Sequence, residues 1–121
     1  MEFDSGMPIY MQVIRDIKKK IVQKELLPGE KLPSNRELAV QYKVNPNTAA
    51  RIYKEMEMAG YCFTKRGLGT FVTEDETMQK TVRKEMAEDL LKGFMKEMKD
   101  LGFDKTEIIS EIKEYEEEPE K

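Results

Sequence analysis

Residues 44–56 read VNPNTAARIYKEM, and four of them, Asn47, Thr48, Arg51 and Lys54, put hydrogen-bonding or cationic groups on the outer side of a predicted helix. Those side-chain types at a helix start are the ones that read base edges. Asparagine pairs bidentately with adenine, arginine with guanine, and threonine offers a polar contact or packs on a thymine methyl. The positive end of a helix dipole also favours phosphate. Lys54 lies a turn further along and suits phosphate better than a base. Asn45 is a good N-cap and also a candidate DNA contact, and Pro46 suits the first helical position. A capped turn with Arg51 and Lys54 solvated accounts for the same letters, but a cap needs only Asn45.

Further basic and flexible positions flank this stretch. Arg36 follows the start of another helix in SNRE, where a guanidinium can clamp phosphate or reach a groove edge. Lys65 and Arg66 sit in KRGLG, between two segments of strand character. Gly67 and Gly69 let that loop approach a sugar-phosphate chain closely, or serve turn geometry alone. Lys31 reads as a solvated loop residue.

Other chemistries lack their residues. The 121-residue chain has no histidine and one cysteine, Cys62. It therefore lacks the commonest general base and metal ligand, an internal disulfide, and a zinc ligand set. The carboxylates fall on solvated-looking helical faces. No catalytic residue, metal or cofactor is expected. No apolar run approaches the roughly 20 residues that cross a bilayer, and the opening MEFDSGMPIY lacks the pattern of a secretory leader. A cytoplasmic protein without membrane contact is expected.

The elements that must position these groups follow from periodicity and punctuation. After Pro8, an apolar stripe of Tyr10, Val13, Ile14, Ile17 and Ile21 recurs at helical spacing, opposite Arg15, Lys18 and Lys19. Pro28-Gly29 makes a turn. Ser34 and Glu37 form a capping box that opens a helix ending near Tyr42. A short link leads to the helix capped by Asn45, whose inward stripe is Ala49, Ile52, Tyr53 and Met56, with Gly60 closing it. Residues 61–64 and 70–73 favour strand around the two-glycine loop. Helix, helix-turn-helix and basic hairpin together make a winged helix. Beyond it, Val82, Met86, Leu90, Phe94 and Met98 recur every four residues in a long helix from about Glu76 to Leu101, with Gly93 inside it. Gly102 stops that helix, Asp104 and Glu107 open another, and the acidic end EEEPEK frays. The expected fold is mostly α with a small β-hairpin wing: residues 1–73 form the DNA-binding head, and residues 74–121 a two-helix dimerisation tail.

Charge divides at the same place. Residues 1–73 hold twelve Lys and Arg against eight Asp and Glu, a net +4, while residues 74–121 hold nine against sixteen, a net −7. A basic front with an acidic back fits a nucleic-acid-binding head carrying a tail with another task.

The blocks PIYMQVIRDIKKKI, LLPGEKLPSNRELA, VNPNTAARIYKEMEMAG and KRGLGTFV, in that order, resemble the GntR family of transcription regulators over about residues 7–73. The resemblance implies a homodimer on two-fold operator DNA, usually a repressor. It implies DNA contacts from Arg36, from Asn47, Thr48 and Arg51, and from Arg66, Gly67 and Gly69. The tail is too short for the family's large effector-binding or aminotransferase-like domains. By length and helical pattern it is similar to the YtrA subfamily, whose members are often associated with ABC-transporter operons.

The apolar row of Val82, Met86, Leu90, Phe94 and Met98 needs a partner: either the chain's own last helix and head cover it, or, as two-fold DNA sites favour, a second chain does, with Ile108, Ile109 and Ile112 completing the interface. Met78, Met86, Met95 and Met98 read as adaptable core filler rather than a ligand pocket. A small-molecule effector that altered tail packing would change the spacing of two heads. Three other roles stay open on sequence alone: an activator, an architectural DNA binder of low sequence preference, and a winged-helix module for protein contacts.

Overall fold

A computed structural model describes residue 3, residues 6–117 and residue 119; parts of the opening MEFDSGMPIY and of the frayed end expected at 116–121 lie outside these. The element order is α1 (Ile9–Val22), α2 (Asn35–Tyr42), α3 (Pro46–Met58), β1 (Cys62–Lys65), β2 (Gly69–Val72), α4 (Glu76–Asp100) and α5 (Lys105–Glu114). The fold is mostly helical with one antiparallel hairpin. Two compact units, Met1–Lys84 and Glu85–Lys121, divide inside α4 rather than at its start.

In the first unit the three stripes expected from periodicity meet in one core. Val13, Ile17 and Ile21 of α1, Leu38, Ala39 and Tyr42 of α2, and Ala49, Ile52, Tyr53 and Met56 of α3 are all buried. Tyr10 and Ile14 pack partly buried at its edge. Lys18, opposite the apolar stripe, lies over the Tyr61 ring at 4.9 Å. Pro8 is the N-cap residue of α1.

Two polar ties fix the helices against each other. The Tyr42 hydroxyl donates to Asp16 at 2.7 Å and accepts from the Lys20 ammonium at 3.2 Å, stapling α2 to α1. The Tyr53 hydroxyl donates to the Pro33 carbonyl, holding α3 against the segment before α2. Burial raises both phenols above their ordinary range, and for Tyr42 the bond to Asp16 adds to it.

Four helices, α1 to α4, end with one geometry, while α5 runs into an extended Tyr115. In a Schellman ending, the two residues after the helix donate back to carbonyls of its last turn, and the first of them is left-handed. α1 closes this way at Lys24, α2 at Lys43, α3 at Gly60 and α4 at Gly102. Glycine meets the positive φ without strain, whereas the two lysines hold φ of 63° and 56° at a steric cost.

The hairpin pairs Cys62 with Val72, Phe63 with Phe71, Thr64 with Thr70 and Lys65 with Gly69. Tyr61 and Thr73 fall outside the strands, and Lys65 and Gly69 fall inside them, so the turn is Arg66-Gly67-Leu68 rather than the whole of KRGLG. Cys62 and Val72 face the core. Lys31 bridges to Phe71, and Leu32 donates to the Thr70 carbonyl at 2.8 Å, giving β2 a second neighbour beside β1.

In the second unit, the continuation of α4 and α5 carry the tail. Asp104 and Glu107 form the expected capping box. Leu90 and Leu91 stand 60% and 57% exposed, and Leu101, Ile109, Ile112 and Tyr115 are also exposed.

Candidate nucleic-acid interface

α3 separates its residues cleanly by direction. Ala49, Ile52, Tyr53 and Met56 point into the core. Asn47, Ala50, Arg51, Lys54 and Met58 are exposed on the opposite side. Steps of 100° per residue put those five within one continuous outer face. Ala50 belongs to that face although it carries no polar signal, and its methyl could contact thymine. Thr48 is half-buried at the flank rather than fully outward.

The start of α3 is ordered by its cap. The Asn45 side-chain oxygen accepts from the Thr48 backbone N–H at 2.8 Å. That oxygen is thereby engaged within the chain, which leaves the outer face of the helix, beginning at Asn47, as the part free to meet a ligand. At the entrance to α2, Ser34 and Glu37 make their reciprocal box at 2.9 and 3.1 Å. The backbone N–H of Ser34, with help from its hydroxyl, holds the Glu37 carboxyl below its ordinary value. Arg36 projects exposed from the same first turn.

Arg51 is not simply solvated. Its Cζ lies 3.8 Å from the centroid of the Tyr10 ring on α1, and its Nε is 4.0 Å from the Glu55 carboxylate. By contrast, Lys31, Arg36, Lys54, Lys65 and Arg66 have no carboxylate within ion-pair distance among the described residues.

The wing has its own arrangement. Phe63 and Phe71 stack at 5.7 Å, and the Lys65 ammonium sits 5.6 and 5.2 Å above their centroids. Lys31 crosses Gly69, where a Cβ would come within 2.9 Å of the lysine's Cε. Gly69 is favoured by its φ of +121°, while the lysine stem over it is flexible enough to shift. Gly67, at φ +79°, faces open space, and Leu68 beside it is 62% exposed at the tip. Glu57 accepts from the Thr64 backbone N–H at 3.1 Å and so fixes the base of the wing to α3.

Tyr10, Ala50 and Leu68 adjoin the expected contact residues without a part in the sequence expectation, and Lys31 is read there as an ordinary loop lysine. Only Ala50 carried a usable signal, its place between Asn47 and Arg51 on the helical wheel. In the tail, Val82 and Ile108 are each 1% exposed, so they are covered within the chain and offer a second chain no surface. Met86 and Met98 are half-buried, while Leu90, Phe94, Ile109 and Ile112 remain available.

A cavity of about 50 Å³ between Ile17, Leu26, Leu38, Tyr42 and Tyr53 is far below the size of a drug-like ligand site.

This arrangement has known counterparts. The model of the bacterial regulatory proteins of the gntR family matches residues 9–72, from the first residue of α1 to the end of β2. The chain belongs to the GntR family. Members of that family are transcriptional regulators, not enzymes. The GntR chain is 47% identical over 114 residues to the HTH-type transcriptional regulator YhcF of Bacillus subtilis (strain 168), covering 94% of each. It is 45% identical over 71 residues to the HTH-type transcriptional repressor YtrA of the same organism, covering 59% of this chain and 55% of YtrA. A GntR family transcriptional regulator from Listeria monocytogenes superposes with a TM-score of 0.84 at 38% identity, over 94% of this chain and all of that one. AraR(DBD) in complex with operator ORR3 superposes with a TM-score of 0.54 at 33% identity, over 60% of this chain and 86% of that one. The winged helix-turn-helix fold is therefore that of the GntR regulators. Among the described residues no helix is long and apolar enough to cross a membrane.

Proposed function

We propose that this regulator binds two-fold operator DNA as a homodimer in the cytoplasm and represses an operon; its relative YtrA is a transcriptional repressor. One observation carries the reading. The outer face of α3 offers Asn47, Ala50, Arg51 and Lys54 together, and the basic side chains around it lack carboxylate partners among the described residues. Exposed cations without partners are what phosphates would neutralise, and polar groups beside them are what base edges would meet. Asn47 and Arg51 read bases, Ala50 and Thr48 add contacts at the edges of that surface, and Arg36 and Lys54 hold phosphate. Lys31, Lys65 and Arg66 bring the wing to the backbone, where Gly67 permits close approach. Asn45 acts by ordering the helix start.

The dimer forms through Leu90, Phe94, Ile109 and Ile112, whose exposed apolar surface a second copy would cover. An exposed apolar patch of that kind marks an association surface. Paired recognition helices then enter successive major grooves about 34 Å apart. A small-molecule effector acting on the tail would change that spacing and release the operator, freeing the promoter. A transporter operon is the target that similarity to YtrA suggests.

The test is selection from a random duplex library at two salt concentrations. A two-fold motif with half-sites one helical turn apart is the expected result. Binding without a motif would replace this reading by an architectural role. No binding at low salt would replace it by a protein-docking role.

A further inference from the structure

Arg51 reaches the outer face of α3 with its guanidinium already placed. Its Cζ lies 3.8 Å from the Tyr10 ring centroid, and its Nε faces Glu55 at 4.0 Å. A guanidinium has five N–H donors in a rigid fork. The ring lies under Cζ and Glu55 faces Nε, so neither contact takes up the two terminal nitrogens, which hold the pair of donors that bidentate guanine recognition needs. Tyr10 is itself held, half-buried against the core beside Val13 and Ile14 of α1. The ring is therefore a fixed platform and not a loose side chain. A free arginine would lose most of its rotamer freedom on meeting a base; one already resting on a ring loses less.

We infer that Tyr10 is a positioning residue for Arg51: its ring holds the guanidinium ready for one base pair, so that a residue of α1 sets sequence discrimination through a residue of α3. The inference rests on the DNA-binding reading above. It adds a specificity determinant that lies outside the recognition helix and 41 positions before the residue it governs.

The test uses the full chain, the duplex that the wild-type protein selects, and a scrambled duplex of the same composition. The quantity read is the ratio of the two affinities. Tyr10→Leu keeps an apolar side chain for the core but removes the ring face. It should lower the ratio by about 2- to 30-fold, the range that cation–π contacts span from exposed to desolvated sites. Tyr10→Phe keeps the face and should restore the ratio to within about twofold of wild type. In an Arg51→Ala background, Tyr10→Leu should change the ratio no further. Repeated selection with Tyr10→Leu should lose preference at the same base pair that Arg51→Ala loses.

A role in packing alone would lower the melting temperature and the active fraction, weaken both duplexes alike, and leave the ratio unmoved; that result overturns the inference. A rise in the ratio also overturns it, because the ring would then be parking the guanidinium away from the groove. If the wild-type chain selects no motif, the DNA reading falls first, and the role given to Tyr10 falls with it.

Discussion

Asn45 allows the cap and the interface to be pulled apart. Its oxygen accepts from the Thr48 N–H at 2.8 Å, a bond that opens α3 and leaves the chemistry outside the helix untouched. Asn45→Ala removes the acceptor and should cost about 0.5–2 kcal/mol. For a unit the size of Met1–Lys84, each kcal/mol lowers Tm by about 4–8 °C. Asn45→Asp keeps an oxygen in place and adds a negative charge to the positive end of the helix dipole, which contributes about 0.3–1 kcal/mol. Stability should hold or rise. Toward DNA the sign reverses. A carboxylate about 6 Å from a phosphate, at an effective dielectric of about 40, is repelled by about 1.4 kcal/mol, or roughly tenfold in affinity. Thermal unfolding and duplex titration of the three proteins, with titrations corrected for folded fraction, read both effects. The aspartate variant should be the most stable and the weakest binder. If it binds DNA as tightly as the alanine variant, the start of α3 does not lie against phosphate and the proposed docking is wrong. If it melts with the alanine variant, the cap does not act through its oxygen.

Three more outcomes are expected. Lys31→Ala and Lys65→Ala should each weaken all sequences alike and reduce the slope of log affinity against log salt by about 0.9, measured by titration across salt. Leu90→Lys with Phe94→Lys should shift the sedimentation profile from dimer to monomer while helical circular dichroism is retained, because both side chains are exposed in the single chain. At alkaline pH the fold should weaken. Burial pushes the Cys62 thiol from an ordinary 9.0 up to about 12, and raises the phenols of Tyr42 and Tyr53 from 10.0. The unfolded chain therefore releases these protons first, so their contribution is complete below pH 9 and declines as pH climbs toward 12. A urea midpoint that stays constant from pH 8 to pH 11 would contradict this.

What could be read from the letters was local. Ser34 with Glu37, Asn45 with Pro46, Asp104 with Glu107, and the glycines at 60 and 102 declare their helix ends within four residues, since capping is decided by neighbours in the chain. The stripes of α1 and α3 were legible because burial imposes helical spacing. What escaped depends on contacts distant in sequence. Nothing near Arg51 announces Tyr10, and nothing near Lys31 announces its bridge to Phe71 or its crossing of Gly69. Lys24 and Lys43 were unreadable as left-handed residues because lysine gives no such signal; the pull of a closed helix end overrides its preference. In the tail the four-residue repeat marked which side chains seek cover, but periodicity says nothing of what covers them. Val82 is satisfied within the chain and Leu90 is not.

The alternation along α3 has a consequence for how such a protein can change over generations. Its inward residues, Ala49, Ile52, Tyr53 and Met56, and its outward ones, Asn47, Ala50, Arg51 and Lys54, occupy opposite sides of one short rod. Replacing an inward isoleucine or methionine by alanine costs about 2–5 kcal/mol out of a total of roughly 5–15. Replacing an outward residue usually changes stability by no more than about 0.5 kcal/mol. A duplicated copy of this gene could therefore wander to a new target by exchanging surface letters one at a time, with every intermediate still folded. A lineage built on this head is free to diversify its addresses while its architecture stands still.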